Sequence, residues 1–370
     1  MHMDDDEILQ YYSETRNLKK NTILQIELYL KEYSAYFSLT LQELLTEAEN
    51  EEEKGIRWKH RRLKKRLLEY RNYLFKKHAY STAKVRFRNI LSFYRHFEIE
   101  IHNLPSYSAK NDDTVKVSFR DLPDKEIIKK ALNISGPLMR AVILFMSSSG
   151  CARTETLNLT VNDFIEATKE YHHANDLNTV LGVLKNRDDV VPTFYLKRQK
   201  TNKPYYCFCS PEATTAIVDY LVSREKKSEK LFDITPHYFV NIFGKINNKL
   251  HLGKIGYYNR FRSHMLRKFN ASQLYNDGMP LEMVDALQGR SKDSTHTSYF
   301  MEDPKKLKKM YIEHMDAITI NMDVSSLDIK SDEYIKLESE NKQLSNHIDN
   351  QSKTINSVLR RLEELERRKG

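Results

Sequence analysis

The chain has 370 residues, with 60 Lys and Arg against 51 Asp and Glu, which gives a formal net charge of +9 at pH 7. This length exceeds one ordinary core and predicts two or three domains. The positive excess fits a nucleic-acid partner as well as many ordinary basic proteins. Three cysteines, Cys151, Cys207 and Cys209, are too few for a disulfide framework and favour a reducing cytoplasm. We expect neither a signal peptide nor a membrane span.

The first domain, residues 1–105, is predicted to be helical, because apolar residues recur at helical spacing from residue 5 to about 103. Its charge is uneven: residues 54–77 contain eleven Lys or Arg and one acid, Glu69. Such a run usually marks a solvated helix, but so many cations repel one another unless a polyanion is bound. The candidate polyanion-binding residues from this run and the next helix are Lys59, Arg61, Arg62, Lys65, Arg66, Lys84 and Arg88.

Residues 106–117 are polar, contain few apolar positions and are predicted to be a linker before a second domain, 118–322. In that domain, residues 190–196 and 205–208 are rich in β-branched and aromatic side chains, and the residues between them are basic, so a hairpin is expected. Cys207 and Cys209 would share one face of its second strand. Two metal ligands could sit this way, but without neighbouring Cys or His the favoured interpretation is small buried residues.

Between residues 264 and 299, a histidine, two arginines and a tyrosine fall on three successive local elements. His264 and Arg267 are three residues apart and share one face of a predicted helix. A second helix has Pro280 in its first turn and Gly289 just past its end, so Arg290 lies in the following turn. Tyr299 comes next, on a predicted short polar helix. These residue types suit an anionic substrate better than a core.

The last segment, 328–370, shows a heptad repeat that predicts a coiled coil through residues 334–365. Its polar a residue, Asn341, favours a parallel dimer in register. Its polar d residue, Gln351, and the like-charged pair Glu333 and Glu338 weaken it, and a solitary amphipathic helix is the alternative. The a positions are Tyr334, Asn341, Ile348, Ile355 and Leu362, and the d positions are Leu337, Leu344, Gln351, Val358 and Leu365.

The order and spacing of these residues resemble those of the tyrosine recombinases of the phage-integrase type, and of archaeal integrases in particular. The resemblance covers roughly residues 5–320 and leaves the heptad tail outside. It rests on Gly150-Cys151-Ala152-Arg153 followed by Leu157, Lys200-Thr201-Asn202-Lys203 followed by Ser210-Pro211-Glu212, His264-Met265-Leu266-Arg267, and the positions of Arg290 and Tyr299.

The resemblance implies a mainly α-helical chain: a helical core-binding domain that clamps DNA, and an α-rich catalytic domain with a small β-hairpin sheet, followed here by the coiled-coil helix. The implied activity is site-specific recombination, as in integration or excision of a mobile element. It would proceed by cleavage and rejoining of DNA through a 3′-phosphotyrosyl intermediate. A tetramer would act on two double-stranded attachment sites, in the cytoplasm and on the nucleoid, without a cofactor or metal.

The implied roles follow the motif residue by residue. Arg153 and Arg267 would clamp the phosphate, since planar guanidiniums match its geometry. His264 would accept a proton, Lys200 would protonate the departing 5′ oxygen, and Tyr299 would be the nucleophile.

Three positions depart from the family pattern. Arg290 stands where His or Trp is usual, Gln288 replaces a Gly, and Thr156 stands where an acid commonly follows the first arginine. His296, one helical turn before Tyr299, is a candidate substitute for the histidine. The departures keep open a second interpretation, in which the chain is a DNA-binding protein that has lost catalysis and acts architecturally or as a regulator. A relaxing type IB topoisomerase or a resolvase would use the same residues.

Overall fold

The computed structural model describes residues 4–107, 115, 117–290 and 303–321. The chain divides into two compact units, Met1–Lys116 and Val117–Gly370. The predicted nucleophile Tyr299, its neighbour His296 and the predicted coiled coil lie outside the described residues. Within the described ranges, no helix is both long and apolar enough to cross a membrane.

The first unit is built from helices, and its core is made of their apolar faces. Leu30, Leu67 and Ile90 are fully buried, and the hydroxyls of Tyr33 and Tyr94 are 3.1 Å apart inside this core. The helices are α1 (Asp5–Thr15), α2 (Lys20–Phe37), α3 (Leu41–Glu53), α4 (Arg62–Lys77) and α5 (Tyr80–His96). The predicted helical character of this region is confirmed.

The second unit combines helices with two short antiparallel hairpins. Its helices are α6 (Lys125–Asn133), α7 (Pro137–Ser149), α8 (Arg153–Asn158), α9 (Val161–Ala167), α10 (Leu177–Leu184), α11 (Pro211–Ser223), α12 (Pro236–Lys249), α13 (Ser263–Asn276), α14 (Leu281–Leu287) and α15 (Pro304–Glu313). Its strands are β1 (Thr193–Lys197), β2 (Pro204–Phe208), β3 (Lys254–Ile255) and β4 (Tyr258–Asn259).

Helix α7 is the central element of this unit, since nearly all of its residues are buried and it packs against α11 and α13. It ends at Gly150, whose φ of +66° is the left-handed conformation that glycine adopts without strain. A Cβ on Gly150 would lie 2.3 Å from Oδ1 of Asn270, so only glycine fits there. The chain therefore turns sharply after α7 and enters α8 at Arg153.

The predicted hairpin is present: β1 and β2 pair antiparallel, with Phe194 opposite Cys207. Cys151, Cys207 and Cys209 are free and buried. The second hairpin, β3 with β4, is an element that the sequence pattern did not predict. The expected fold class, mainly helical with a small hairpin sheet in the second unit, is confirmed, while the coiled-coil part of that expectation falls outside the described residues.

Candidate active site

A cleft of about 630 Å³ in the second unit is lined by Arg153, His264 and Arg267. Arg153 is the first residue of α8 and is exposed, whereas His264 and Arg267 lie one turn apart on α13. Two motifs that are distant in the sequence therefore face one cavity. Their combined positive charge suits it to an anion.

The guanidinium of Arg267 is buried and held by two backbone carbonyls. Its Nη1 donates to the carbonyl of Gly150 at 2.6 Å, and its Nη2 donates to the carbonyl of Gln288 at 2.7 Å. Burial lowers its pKa, but an arginine remains charged in proteins. A guanidinium has five N–H donors, so these two bonds fix its plane and leave donors for a ligand.

Gln288, where the family pattern has glycine, is fully buried and ties the site together. Its Nε2 donates to the carbonyl of Arg267 at 3.1 Å and to Oδ1 of Asn270 at 2.9 Å. Asn270 in turn donates to the carbonyls of Ser147 and Ser148 at the end of α7. The side chain thus joins α13, the end of α14 and α7, and this departure from the pattern is part of the frame around Arg267.

His264 lines the cleft and reaches solvent, yet its pKa is lowered. Partial burial of the ring is the largest cause, and the nearby positive charges of Lys268, Arg262, Arg267 and Arg290 act in the same direction. Both effects disfavour the protonated imidazolium. At neutral pH the ring is therefore neutral and able to accept a proton.

Arg290 lies in the turn just past α14, as the sequence pattern predicted, but it does not line the cleft. Its Nη1 lies 3.1 Å from Oδ1 of Asp285, and its backbone N–H donates to the carbonyl of the same residue at 2.8 Å. Its charge still contributes to the lowered pKa of both His264 and Arg267. It therefore acts on the site electrostatically while paired with an acid.

Lys200 lies in the exposed turn between β1 and β2 and does not line the cleft. Its hairpin is nevertheless attached to the site's frame, because Nη1 of Arg198 donates to the carbonyl of Gly289 at 2.7 Å. Gly289 has a φ of +57°, and a Cβ there would lie 2.6 Å from the Tyr205 ring. The hairpin thus packs closely on the turn that follows α14.

The remaining predicted position near Arg153 is also described. Thr156 is buried, and its Oγ1 donates to the carbonyl of Ala152 at 3.1 Å, one helical turn earlier. The adjacent Glu155 is buried as well. Thr156 therefore closes the first turn of α8 and has a local structural role.

The hairpin of β3 and β4 is the part of the cleft that the sequence did not predict. Lys254, Tyr257 and Tyr258 line the cavity beside the Arg and His residues. Gly253 and Gly256, both with positive φ, are the residues whose type signals a turn here.

In the first unit, the seven predicted polyanion-binding residues separate into two groups. Arg61 is buried, donates through Nε to the carbonyl of Ile56 at 2.9 Å and pairs with Glu52. Arg66 forms two hydrogen bonds to Glu47, at 2.8 and 2.9 Å. The other five, which we call the exposed cations, face solvent: Lys59, Arg62, Lys65, Lys84 and Arg88.

Residues 125–306 match the model of the phage integrase family. Among solved structures, the Tn1549 transposon integrase in complex with circular intermediate DNA aligns with a TM-score of 0.50 and 12% identity, over 85% of this chain and 100% of that one. The XerH recombinase bound to its difH substrate aligns with a TM-score of 0.49 and 18% identity, over 84% of each chain. A lambda integrase dimer bound to a core site aligns with a TM-score of 0.49 and 13% identity, over 89% of this chain and 81% of that one. No curated protein sequence matches significantly.

At such low identities the structural likeness concerns the fold, which is that of the tyrosine recombinase catalytic domain. The matched part of the chain, residues 125–306, is similar to the phage integrase family, and its fold is that of the tyrosine recombinases.

Proposed function

We propose that the protein cleaves and rejoins double-stranded DNA at specific sites through a 3′-phosphotyrosyl intermediate, and so integrates or excises a mobile element. The observation that supports this most strongly is the cleft in which Arg153, His264 and Arg267 meet. A phosphodiester is the anion that these residue types suit, because two guanidiniums can bind its non-bridging oxygens from two directions.

Attack on the scissile phosphate passes through a state with extra negative charge on the non-bridging oxygens. Arg267, which two backbone carbonyls hold in place, would stabilise that charge without first reorganising, and Arg153 would add a second guanidinium from the same cleft. A fixed donor aimed at developing charge contributes about 3 to 4 kcal/mol in comparable sites. Loss of either arginine should therefore slow cleavage by roughly a hundredfold or more.

Proton transfers complete the reaction. A tyrosine phenol, whose ordinary pKa is about 10, is a poor nucleophile, so a neutral His264 would accept the proton of Tyr299. The new bond joins the phenolic oxygen to the 3′ phosphate, and the bond to the 5′ oxygen breaks. Lys200 would give that oxygen a proton. The phosphotyrosyl bond retains the energy of the broken linkage, so the 5′ hydroxyl can reverse the step and rejoin DNA without ATP.

The decisive experiment is adduct formation with Tyr299→Phe. The full-length protein is incubated with nicked suicide duplexes that carry its attachment site, from which a cleaved strand cannot be rejoined, and covalent complexes are recovered under denaturing conditions. Wild type should form the adduct, whereas Tyr299→Phe should form none and still bind DNA. Tyr275→Phe, on the exposed end of α13, is the matched control and should behave as wild type. An adduct that survives in Tyr299→Phe would disprove the assigned nucleophile.

A DNA-binding protein without catalysis is the second candidate, favoured by the pairing of Arg290 with Asp285 outside the cleft. It predicts DNA binding by wild type with no adduct under any condition. If an adduct does form, supercoiled plasmids with one site or two separate the remaining outcomes: relaxation of a one-site plasmid indicates a topoisomerase-like activity, and exchange between two sites indicates recombination.

The proposed active form is a tetramer on two attachment sites, with residues 334–365 as a coiled-coil dimer contact. Sedimentation of the full chain and of a chain ending at residue 327 tests the tail. The full chain should self-associate more strongly. Equal association constants would remove the tail from the assembly.

A further inference from the structure

The hairpin of β3 and β4 presents two tyrosines to solvent at the wall of the cleft. Tyr257 is 84% exposed and Tyr258 is 66% exposed, the two highest values among the large hydrophobic side chains that the structure describes. Leaving two adjacent aromatic rings in water forgoes the free energy that their burial would give. A ligand that covers them is therefore the simplest reason for their position.

The chemistry around the two rings indicates which ligand. They line the same cavity as Arg153, His264 and Arg267, and Lys254 at the start of β3 adds a further cation. A protein partner with an apolar surface would have to bring its apolar groups against these charges. A nucleotide instead combines a phosphate for the cations with a flat base for the rings.

The hairpin is anchored at its base, so the rings are presented by a fixed support. Asn247, nearly fully buried, accepts from the N–H of Phe261 at 2.8 Å and donates to the carbonyl of Gly253 at 3.1 Å. Arg260 donates to the carbonyl of Arg120 at 2.9 Å. These bonds hold both ends of the hairpin against the body of the unit.

Tyr258 is additionally oriented by a cation. The guanidinium of Arg262 lies 5.1 Å from its ring centroid, within the range of a cation–π contact, and donates to the carbonyl of Asn259. Burial lowers the pKa of Arg262, although the side chain stays charged. Arg262 directly precedes α13, so the orientation of the Tyr258 ring is coupled to the helix that carries His264 and Arg267.

We propose that Tyr257 and Tyr258 form a stacking site for an unpaired nucleobase next to the phosphate bound by Arg153 and Arg267. This inference rests on the proposed function, because it assigns the neighbour of the scissile phosphate. A base inside a duplex exposes only its edges in the grooves, whereas a base that leaves the stack offers a face to an aromatic ring. The site would hold such a base while the strand is cut and its end is free.

The test uses two fluorescent oligomers of equal length and charge, one of oligothymidylate and one in which every base is replaced by an abasic tetrahydrofuran. Binding of the full-length protein is measured by anisotropy at several salt concentrations. Wild type should prefer oligothymidylate by roughly five- to tenfold, as expected for base stacking on aromatic side chains. The double variant Tyr257→Ala with Tyr258→Ala should lose the preference and keep its affinity for the abasic oligomer.

Three controls keep this result specific. Tyr257→Phe with Tyr258→Phe retains both rings and should keep the preference. Tyr275→Ala removes another exposed tyrosine, outside the cleft, and should also keep it. The dependence of binding on salt should not change in the alanine variant, because stacking releases no counterions.

Equal binding of the two oligomers by wild type, or a preference that persists in the double alanine variant, would overturn the stacking site. The adduct assay separates this outcome from failure of the proposed function. A protein that forms the adduct but shows no base preference refutes the stacking site alone. A protein that forms no adduct, yet loses a base preference with the two rings, refutes the proposed cleavage alone.

Discussion

At the scale of single residues, the geometry of the arginines depends on partners that are far away in sequence. Arg267 is held by carbonyls of Gly150 and Gln288, which lie 117 and 21 residues from it. A motif indicates the residue type and its spacing, but not the bonds that fix its plane. Gln288 shows most clearly what the sequence pattern leaves out. The pattern marks it only as a departure from the usual glycine, whereas in the structure its side chain is fully buried and its hydrogen bonds help to join three helices.

The lowered pKa of His264 makes a prediction about acid pH. Adduct formation at subsaturating DNA, which reports the free protein, should fall off only below the ordinary histidine value of about 6.5. Among the nearby charges, that of Lys268 lowers this pKa the most. Lys268→Met should therefore move the acid limb of the pH profile, the pH range in which adduct formation falls off, to higher pH. Lys226→Met removes an exposed cation that is not among the charges acting on His264, and it should leave the acid limb unmoved. An unchanged limb in Lys268→Met would exclude His264 as the titrating group.

The same shift affects stability with a defined sign. Above the ordinary value, His264 is neutral in both folded and unfolded chains and contributes nothing. As the pH falls through about 6.5, the unfolded chain takes up a proton that the folded site resists, so the folded state is destabilised. Low pH therefore acts on this residue against both catalysis and folding.

At the scale of elements, the turn at Gly289 connects the site's parts. The carbonyl of Gln288 holds Arg267, the carbonyl of Gly289 holds Arg198, and the ring of Tyr205 packs on the glycine. The sequence pattern predicted the helix end at this glycine from its usual place after a helix. It could not predict the close approach of the hairpin, which arises only from packing.

Gly289→Ala should therefore destabilise the protein more than a glycine substitution that meets open space. Gly253 is the matched control: its φ is +72°, and a Cβ there would have no neighbour within 4 Å. Both alanines incur a backbone cost of about 1 to 2 kcal/mol, but only Gly289→Ala also collides with Tyr205, adding about 1 to 3 kcal/mol. Thermal denaturation of the two variants measures the difference. Equal losses would contradict the packing of the hairpin on this turn.

The two hairpins show which elements a sequence can indicate. Strands β1 and β2 contain five residues each, with Thr, Phe and Tyr in β1 and three aromatic residues in β2, enough for a strand pattern. Strands β3 and β4 contain two residues each, too few for any alternation to be recognised. The hairpin that carries Tyr257 and Tyr258 is instead defined by its anchors, Asn247 and Arg260, which no local pattern reveals.

At the scale of the whole molecule, the net charge of +9 indicates a polyanionic partner without showing which cations would meet it. The structure separates cations that face solvent from cations that pair with acidic side chains within the fold. Arg66 is an example of the second kind, since Glu47, which it binds twice, lies on a different helix 19 residues earlier. That hydrogen bonding is the largest cause of the lowered pKa of Glu47. Neighbouring Lys65 is an exposed cation.

Lys65→Gln and Arg66→Gln therefore form a matched pair with opposite expected effects. If the exposed cations contact phosphates, Lys65→Gln should reduce the slope of log affinity for duplex DNA against log salt by about 0.9 and leave stability unchanged. Arg66→Gln should leave the slope nearly unchanged and destabilise folding by roughly 1.5 to 3 kcal/mol, the range for hydrogen bonds to charged groups.

Because the pKa of Glu47 is lowered in the folded state, the stabilisation from its pairing with Arg66 exists at neutral pH and is lost as the pH falls through that lowered value. Arg66→Gln should thus approach wild-type stability in acid, and a variant that changes the salt slope instead would reassign Arg66 to the DNA-binding surface.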